Sequence, residues 1–167
     1  GGGLGIHMLK MLKLNNISAI GIDTKTEKFN TCNENGAEFS VSPMENDLKN
    51  KIADYSKSHN LDVVIDFVSS KSSLELGCSI LGKGGRLVTL GGSGEQFLAN
   101  SADMLVKELE LIGSRYCTKQ ELKESLDLYA RGLIEPLVSV KTDFDGAEGL
   151  HDKIEKGEIT GRAGILI

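Results

Sequence analysis

The stretch Ile17-Ser18-Ala19-Ile20-Gly21-Ile22-Asp23 decides the fold. It reads as a short buried strand that ends on a carboxylate. Before it, Leu4 to Leu14 reads as a helix with apolar Ile6, Met8, Leu9 and Leu12. After it, Thr26 to Asn35 reads as a second helix, stopped at Gly36 by a residue type suited to a helix C-terminus. The alternation then repeats. Glu38 to Ser42 is a short strand ending at Pro43, and Glu45 to His59 is an amphipathic helix carrying Leu48, Ile52, Ala53 and Tyr55. Asp62-Val63-Val64-Ile65-Asp66-Phe67 is the clearest strand, with a continuous apolar centre. Ser72 to Leu81 is a helix, Gly82 to Gly85 a turn, and Arg86 to Leu90 a buried strand ending in Gly91-Gly92. Leu109 to Gly113 adds a strand and Lys119 to Arg131 a helix. Strands that are apolar throughout, separated by helices, belong to a parallel sheet covered on both faces. The expected fold class is therefore α/β, a doubly wound parallel sheet.

From about Glu135 the alternation weakens. Two short strands, Leu137 to Lys141 and Ala163 to Ile167, flank a helix near Ala147 to Glu155. The expected division is an α/β domain over 1–134 and a C-terminal segment over 135–167 that packs elsewhere. The opening glycines follow no strand, although such glycines belong after one. The sheet's first strand is thus expected to be missing from the chain.

Composition narrows the function classes. The chain has 167 residues, 40% of them hydrophobic and 26% charged, which suits one ordinary globular domain or one domain with a tail. Net charge is −5 with no basic block, so nucleic acid is not an expected partner. Cys32, Cys78 and Cys117 are odd in number and form no C-x-x-C pair, which argues against a disulfide framework and a structural zinc site. No apolar run approaches the ~20 residues of a membrane span, and no signal segment opens the chain. The expected location is cytoplasmic, away from membranes.

The chemistry-bearing residues lie at strand ends. Gly2-Gly3-Leu4-Gly5 opens a helix, as in the G-x-G-x-x-G turn that lets a dinucleotide pyrophosphate approach a helix N-terminus. Gly2 and Gly5 fit its second and third glycines; the first would precede residue 1. A flexible start or a cloning remnant would also explain these glycines. Asp23 stands 18 residues after Gly5, where the dinucleotide fold places the acidic residue that holds the adenosine ribose. Its charge repels a 2′-phosphate and so favours NAD over NADP; the alternative is a helix N-cap or a turn Asp. Leu90-Gly91-Gly92 follows a strand, where ligands of such sheets bind, although a plain turn also uses glycine.

Other patterns fail. Gly77 to Lys83 fits a phosphate loop, but Gly84 stands where Ser or Thr is needed, and the run precedes a strand. Ser93 lacks the second glycine of a nucleophile elbow. His7, His59 and His151 have no metal-type spacing and read as surface or helix histidines. Cys78 and Cys117 read as small buried residues.

The order of these motifs resembles the medium-chain dehydrogenase/reductase family, zinc-type alcohol dehydrogenases in particular. The likeness covers nearly the whole chain. It rests on Gly-Gly-Gly-Leu-Gly, on Ile-Gly-Ile-Asp with Lys28 five residues after Asp23, and on Glu-Asn-Gly-Ala-Glu and Asp-Val-Val-Ile-Asp. Gly-Gly-Arg-Leu-Val-Thr-Leu-Gly, Glu-Leu-Ile-Gly-Ser, Ala-Arg-Gly-Leu-Ile-Glu-Pro and the terminal Ile-Thr-Gly-Arg-Ala-Gly-Ile-Leu-Ile complete it.

The resemblance implies a Rossmann-type domain that binds NAD through Gly2, Gly3, Leu4, Gly5, Asp23 and Lys28, with Lys28 toward the adenosine ribose. Val68 and Ser69 would border the adenine end. Leu90, Gly91 and Gly92 would face the nicotinamide, with Ser114 and Arg115 near it. Arg162 would meet the pyrophosphate, or remain a solvated charge between two glycines. The resemblance also implies a further lobe whose ligands hold catalytic zinc. None of those ligands is in this sequence, so no catalytic and no metal residue is expected here, and residues 135–167 would pack on that lobe. The expected activity of the intact enzyme is oxidation of an alcohol or polyol by NAD, the chain alone being inactive. The alternatives are a zinc-free quinone or enoyl reductase of the same superfamily, or a non-catalytic nucleotide-binding module. A homo-oligomer, dimer or tetramer, is implied, joined at the edge strand Leu109 to Gly113.

Overall fold

A computed structural model describes residues 2–58 and 60–167; His59 lies outside the described residues. In chain order the elements are helix α1 (Gly3–Leu14), strand β1 (Gly21–Ile22), a 3-10 turn (Thr26–Lys28) leading into α2 (Phe29–Glu34), β2 (Ser40–Val41) and α3 (Leu48–Ser56). Then come β3 (Val63–Asp66), α4 (Lys71–Ile80), β4 (Arg86–Thr89), α5 (Ser101–Lys107) and β5 (Glu110–Gly113). The chain ends with α6 (Lys119–Ala130), β6 (Val138–Thr142), α7 (Ala147–Glu155) and β7 (Arg162–Ile165).

Every strand pair is parallel. β1 pairs with β2, β3 with β4, β4 with β5, and β6 with β7. Each connection between paired strands carries a helix, as parallel pairing requires. The described residues form two compact units, one of residues up to Glu45 with Thr118–Ile167, the other Asn46–Cys117.

In the first unit α1 turns Leu9 inward against Cys32, Ala37 and Ala19. Ile6, on the same face, is fully buried. The strand expected over Ile17 to Ile22 is short because its ladder engages one partner: Glu38 N–H donates to Ala19 O at 2.8 Å, Gly21 N–H to Phe39 O at 3.0 Å, and Asp23 N–H to Val41 O at 3.1 Å. These bonds fix Asp23 at the strand's C-terminal end. The C-terminal β6-α7-β7 run is a βαβ unit whose Leu150 is buried.

In the second unit Leu74 of α4, Leu81 and Leu87 of β4 form a buried cluster with Val64, Phe97 and Leu109 around it. Gly77 lies on the packed face of α4: a Cβ there would come within 2.9 Å of Leu87 Cδ1. That contact accounts for a glycine in mid-helix, and the run Gly77 to Lys83 is helix and turn. α4 starts at Ser70, whose hydroxyl accepts from Ser73 N–H in a capping box. α5 was not foreseen; its signal is Asn100, whose side chain accepts from Ala102 N–H at 2.9 Å as an N-cap.

Two readings of the cysteines are corrected. Cys117 is exposed and Cys78 half-buried, while the fully buried one is Cys32. Residues 111–120 are exposed throughout, so Cys117 has no packed cover among the described residues. Among the described residues no helix is long and apolar enough to cross a membrane.

Candidate functional site

In the first unit the site is built around the N-terminus of α1. Gly2 is its N-cap, with no side chain capping it and no acidic residue in the first turn. The earliest helical bond runs from Ile6 N–H to Gly2 O at 3.1 Å, so the preceding N–H groups have no partner inside the helix. A helix start of this kind attracts an anion through those donors and the helix dipole.

Gly3 is crowded. A Cβ at this position would lie 2.8 Å from Gly161 O and 2.9 Å from Cδ and Nε of Arg162. The Arg162 side chain therefore lies against the glycine turn itself, exposed along its flank. Gly2 and Gly161 form a parallel bridge, and Arg162 N–H donates to Leu137 O at 2.7 Å. Backbone pairing thus sets a guanidinium beside a helix N-terminus. That pair suits a phosphate bound by two parallel N–H bonds.

Asp23 is half-buried and accepts from Lys25 N–H at 2.9 Å. Burial pushes its carboxyl up; the Lys25 N–H and the Lys28 charge pull it down. Lys28 is buried, and its ammonium donates to Ile159 O at 3.2 Å.

In the second unit the ends of β3 and β4 carry the remaining residues. Asp66, the last residue of β3, is buried and accepts from Val68 N–H at 2.8 Å, Ser69 N–H at 3.0 Å and the Ser73 hydroxyl at 2.7 Å. It holds Ser69 at φ 57°, a left-handed conformation rare for a residue with a side chain. The hydroxyls of Ser69 and Thr89 hydrogen-bond each other, and Ser93 donates to Ser69 O. Val68 is left exposed.

Gly91 closes this corner. A Cβ there would sit 2.6 Å from Ser69 Oγ and 2.7 Å from Val68 O, so only glycine lets the two loops meet. Gly92 is exposed with open space around it, and Leu90 is half-buried. Ser114 N–H donates to Thr89 O at 2.9 Å. Arg115 is exposed, its guanidinium 4.3 Å from the centre of the Tyr116 ring.

The structure thus brings Gly2, Gly3, Leu4, Gly5, Asp23, Lys28 and Arg162 into one unit, and Val68, Ser69, Leu90, Gly91, Gly92, Ser114 and Arg115 into the other. Two open grooves of about 380 and 360 Å³ are lined by other residues, and neither reaches these positions. Among the described residues no three His, Cys, Asp or Glu side chains are grouped as a metal site requires.

Four contributors escaped the sequence reading. His7 faces Gly3 O through Nδ1 at 2.5 Å, and its Nε2 accepts from Leu137 N–H at 3.1 Å, tying the glycine turn to β6. Lys25 donates to carbonyls 131 and 132 residues away, and no local pattern announces such a bond. Asp66 and Thr89 were visible only as strand residues. The signal for Asp66 was a strand-ending Asp followed by Ser69-Ser70, the pattern of a side chain that bonds the next turn.

These features define a dinucleotide-type α/β domain: parallel strands, a glycine turn on a helix start, and an acidic residue ending the next strand. The family model described as "Zinc-binding dehydrogenase" matches residues 3–131, well over half of the chain. The chain belongs to that family. It is 27% identical over 165 residues to the NAD-dependent alcohol dehydrogenase of Sulfolobus acidocaldarius, covering 97% of this chain and 47% of that protein. It is 26% identical to the D-arabinose 1-dehydrogenase (NADP(+)) of Saccharolobus solfataricus, covering 96% of this chain and 46% of that one. The alcohol dehydrogenase structure from Aeropyrum pernix superimposes with a TM-score of 0.87 at 28% identity, over 97% of this chain and 46% of that one. The fold is Rossmann-type α/β, and the chain spans about half the length of the relatives it matches.

Proposed function

We propose that the chain is the nicotinamide-cofactor half of an alcohol or polyol dehydrogenase, and that it takes NAD in preference to NADP. One observation carries the reading: Arg162 lies on the uncapped glycine turn of α1, in the same unit where Asp23 directly follows β1. The donors of that turn and the guanidinium fit a pyrophosphate, and the Asp23 carboxylate fits paired ribose hydroxyls. NAD, when bound, would accept hydride from the alcohol carbon. The chain's own residues would hold the cofactor: in the first unit Gly2 to Gly5 and Arg162 would take its phosphates and Asp23 the ribose; in the second, Val68 and Ser69 are the candidates for the adenine, and Leu90 to Gly92 with Ser114 and Arg115 for the nicotinamide.

Residues 135–167 are assigned to a catalytic lobe carried by sequence outside this chain, as would be the zinc implied by the family. Among the described residues no three His, Cys, Asp or Glu side chains are grouped so that they could hold zinc. A homo-oligomer in the cytoplasm is part of the same reading. β5 is exposed along its whole length, with apolar Leu111 and Ile112 at its surface.

Relatives use either cofactor, so the preference rests on Asp23. The test is titration of the full-length gene product with NADH and NADPH, followed by nicotinamide fluorescence. Asp23→Ala should weaken NADH by about tenfold or more, each lost hydroxyl bond to a carboxylate being worth roughly 1.5–3 kcal/mol before desolvation. NADPH should be weakened less. NADPH bound more tightly than NADH by the parent protein would refute the preference and favour the reductase reading.

A further inference from the structure

Two lysines follow Asp23 closely, and each gives its ammonium to backbone carbonyls far along the chain. Lys25 Nζ donates to Lys156 O at 2.9 Å and to Gly157 O at 2.8 Å. Lys28, 7% exposed, donates to Ile159 O. The acceptors lie at the C-terminus of α7 and in the segment that follows it. Carbonyls at a helix end lack intrahelical donors and carry the negative pole of its dipole, so an ammonium there is well placed. The approach is tight, since a Cβ at Gly157 would lie 3.0 Å from Lys25 Nζ.

From Ile159 the chain runs through Gly161, bridged to Gly2, and delivers Arg162 onto Gly3. Seven residues, Lys156 to Arg162, are therefore pinned near one end by two lysines and at the other by the glycine turn. The lysines and the glycine turn belong to the start of the sequence, more than 130 residues away.

We propose that Lys25 and Lys28 are positioning residues that clamp the Lys156–Arg162 segment and so hold Arg162 over the anion-binding turn of α1. This rests on the cofactor reading above. The clamp also explains how two cations beside Asp23 coexist with a preference against a 2′-phosphate: their ammoniums are engaged on backbone carbonyls.

The test uses the full-length gene product with Lys25→Met, Lys25→Arg, Arg162→Ala and the double variant Lys25→Met/Arg162→Ala. Two readouts are taken: hydrogen exchange over residues 157–165 without cofactor, and NADH affinity. Lys25→Met should speed exchange over 157–165 and leave the α1 and α2 amides protected. It should weaken NADH roughly fivefold to tenfold, and add almost nothing in the Arg162→Ala background, as expected for coupled residues. Lys25→Arg should restore both. Lys28→Met should speed exchange in the same segment; should it fail to fold, the Lys25 series decides. Unchanged exchange in Lys25→Met, or an equal loss of NADH affinity with and without Arg162, overturns the clamp. A parent protein that binds no NADH overturns the cofactor reading and, with it, the purpose assigned to the clamp. That failure appears in the parent, whereas the clamp's own failure appears only in the variants.

Discussion

Replacing Asp66 tests how the end of β3 is held. Its carboxylate accepts three hydrogen bonds, from Val68 N–H, Ser69 N–H and the Ser73 hydroxyl. Bonds to an ionised acceptor contribute roughly 1.5–3 kcal/mol each, so simple addition would give about 4.5–9 kcal/mol. That sum is too large. Val68 is 66% exposed, and its N–H regains water when the carboxylate is removed. Ser73 Oγ can turn to Ser70 O, 3.1 Å away. Ser69 is 6% exposed, so its N–H is left without a partner, and its left-handed φ loses the bond that stabilises it. Asp66→Ala should therefore cost about 3–5 kcal/mol, a large share of the roughly 5–15 kcal/mol of a typical domain. Asp66→Asn keeps an oxygen for the two backbone donors, and Ser73 Oγ can accept from the new amide. It should cost under about 1.5 kcal/mol. Urea unfolding of the full-length protein gives both numbers, and NADH titration reads whether the Val68–Ser69 corner survives. Equal costs for the two variants, or an Asp66→Ala cost below about 1 kcal/mol, would show that the corner does not depend on this carboxylate.

The C-terminal segment and α6 give two further expectations. Gly161→Ala should lower stability by about 3 kcal/mol or more, combining left-handed strain with overpacking. The φ is +77°, and the added Cβ would meet Leu137 O at 2.5 Å and Leu137 Cγ at 2.9 Å. Thermal unfolding measures it, and a neutral result would contradict the tight pairing of β6 with this segment. Thr118→Ala should cost about 1 kcal/mol by removing the N-cap of α6; urea midpoints read it. The Thr118 N–H and hydroxyl hold the Glu121 carboxyl below its ordinary value of 4.5. A lowered carboxylate adds stability that is complete above its unfolded value and is lost as pH falls through the folded one. The difference between parent and Glu121→Gln should thus be constant above about pH 5.5 and shrink in acid. A difference that grows in acid would reverse the sign assigned here.

The fold was legible where burial acts on both faces of a segment. Val64, Ile65, Leu87 and Val88 form an unbroken apolar run in each of β3 and β4, and no helix of the required length fits between their flanking turns. The first unit was harder to read. The strand expected over Ile17 to Ile22 pairs on one side only, so Ile17 stays 52% exposed and the regular part shrinks to Gly21–Ile22. α5 escaped because its seven residues present no buried side chain, leaving only the Asn100 cap as a signal. α6 was expected although it buries nothing either: its Leu122, Leu126 and Tyr129 recur at helical spacing and are all more than half exposed.

The site divides along a different line. Gly2 to Gly5, Asp23 and Gly91 could be named as candidates because each stands at a strand or helix end, a position visible in the local sequence. Residues that act through a distant partner could not. Nothing near Lys25 in the sequence predicts Gly157, and nothing near His7 predicts Leu137. Arg162 was read as a basic residue between two glycines, which left a phosphate ligand and a solvated charge both open. The structure adds the reason for one of them and for a glycine of the turn: Gly161 has no room for a side chain beside Leu137, and Gly3 has none beside Arg162. The two ends of the chain are fitted to each other at contact distance. An insertion or substitution in the Lys156–Arg162 segment should therefore act on the glycine turn as directly as a change in the turn itself.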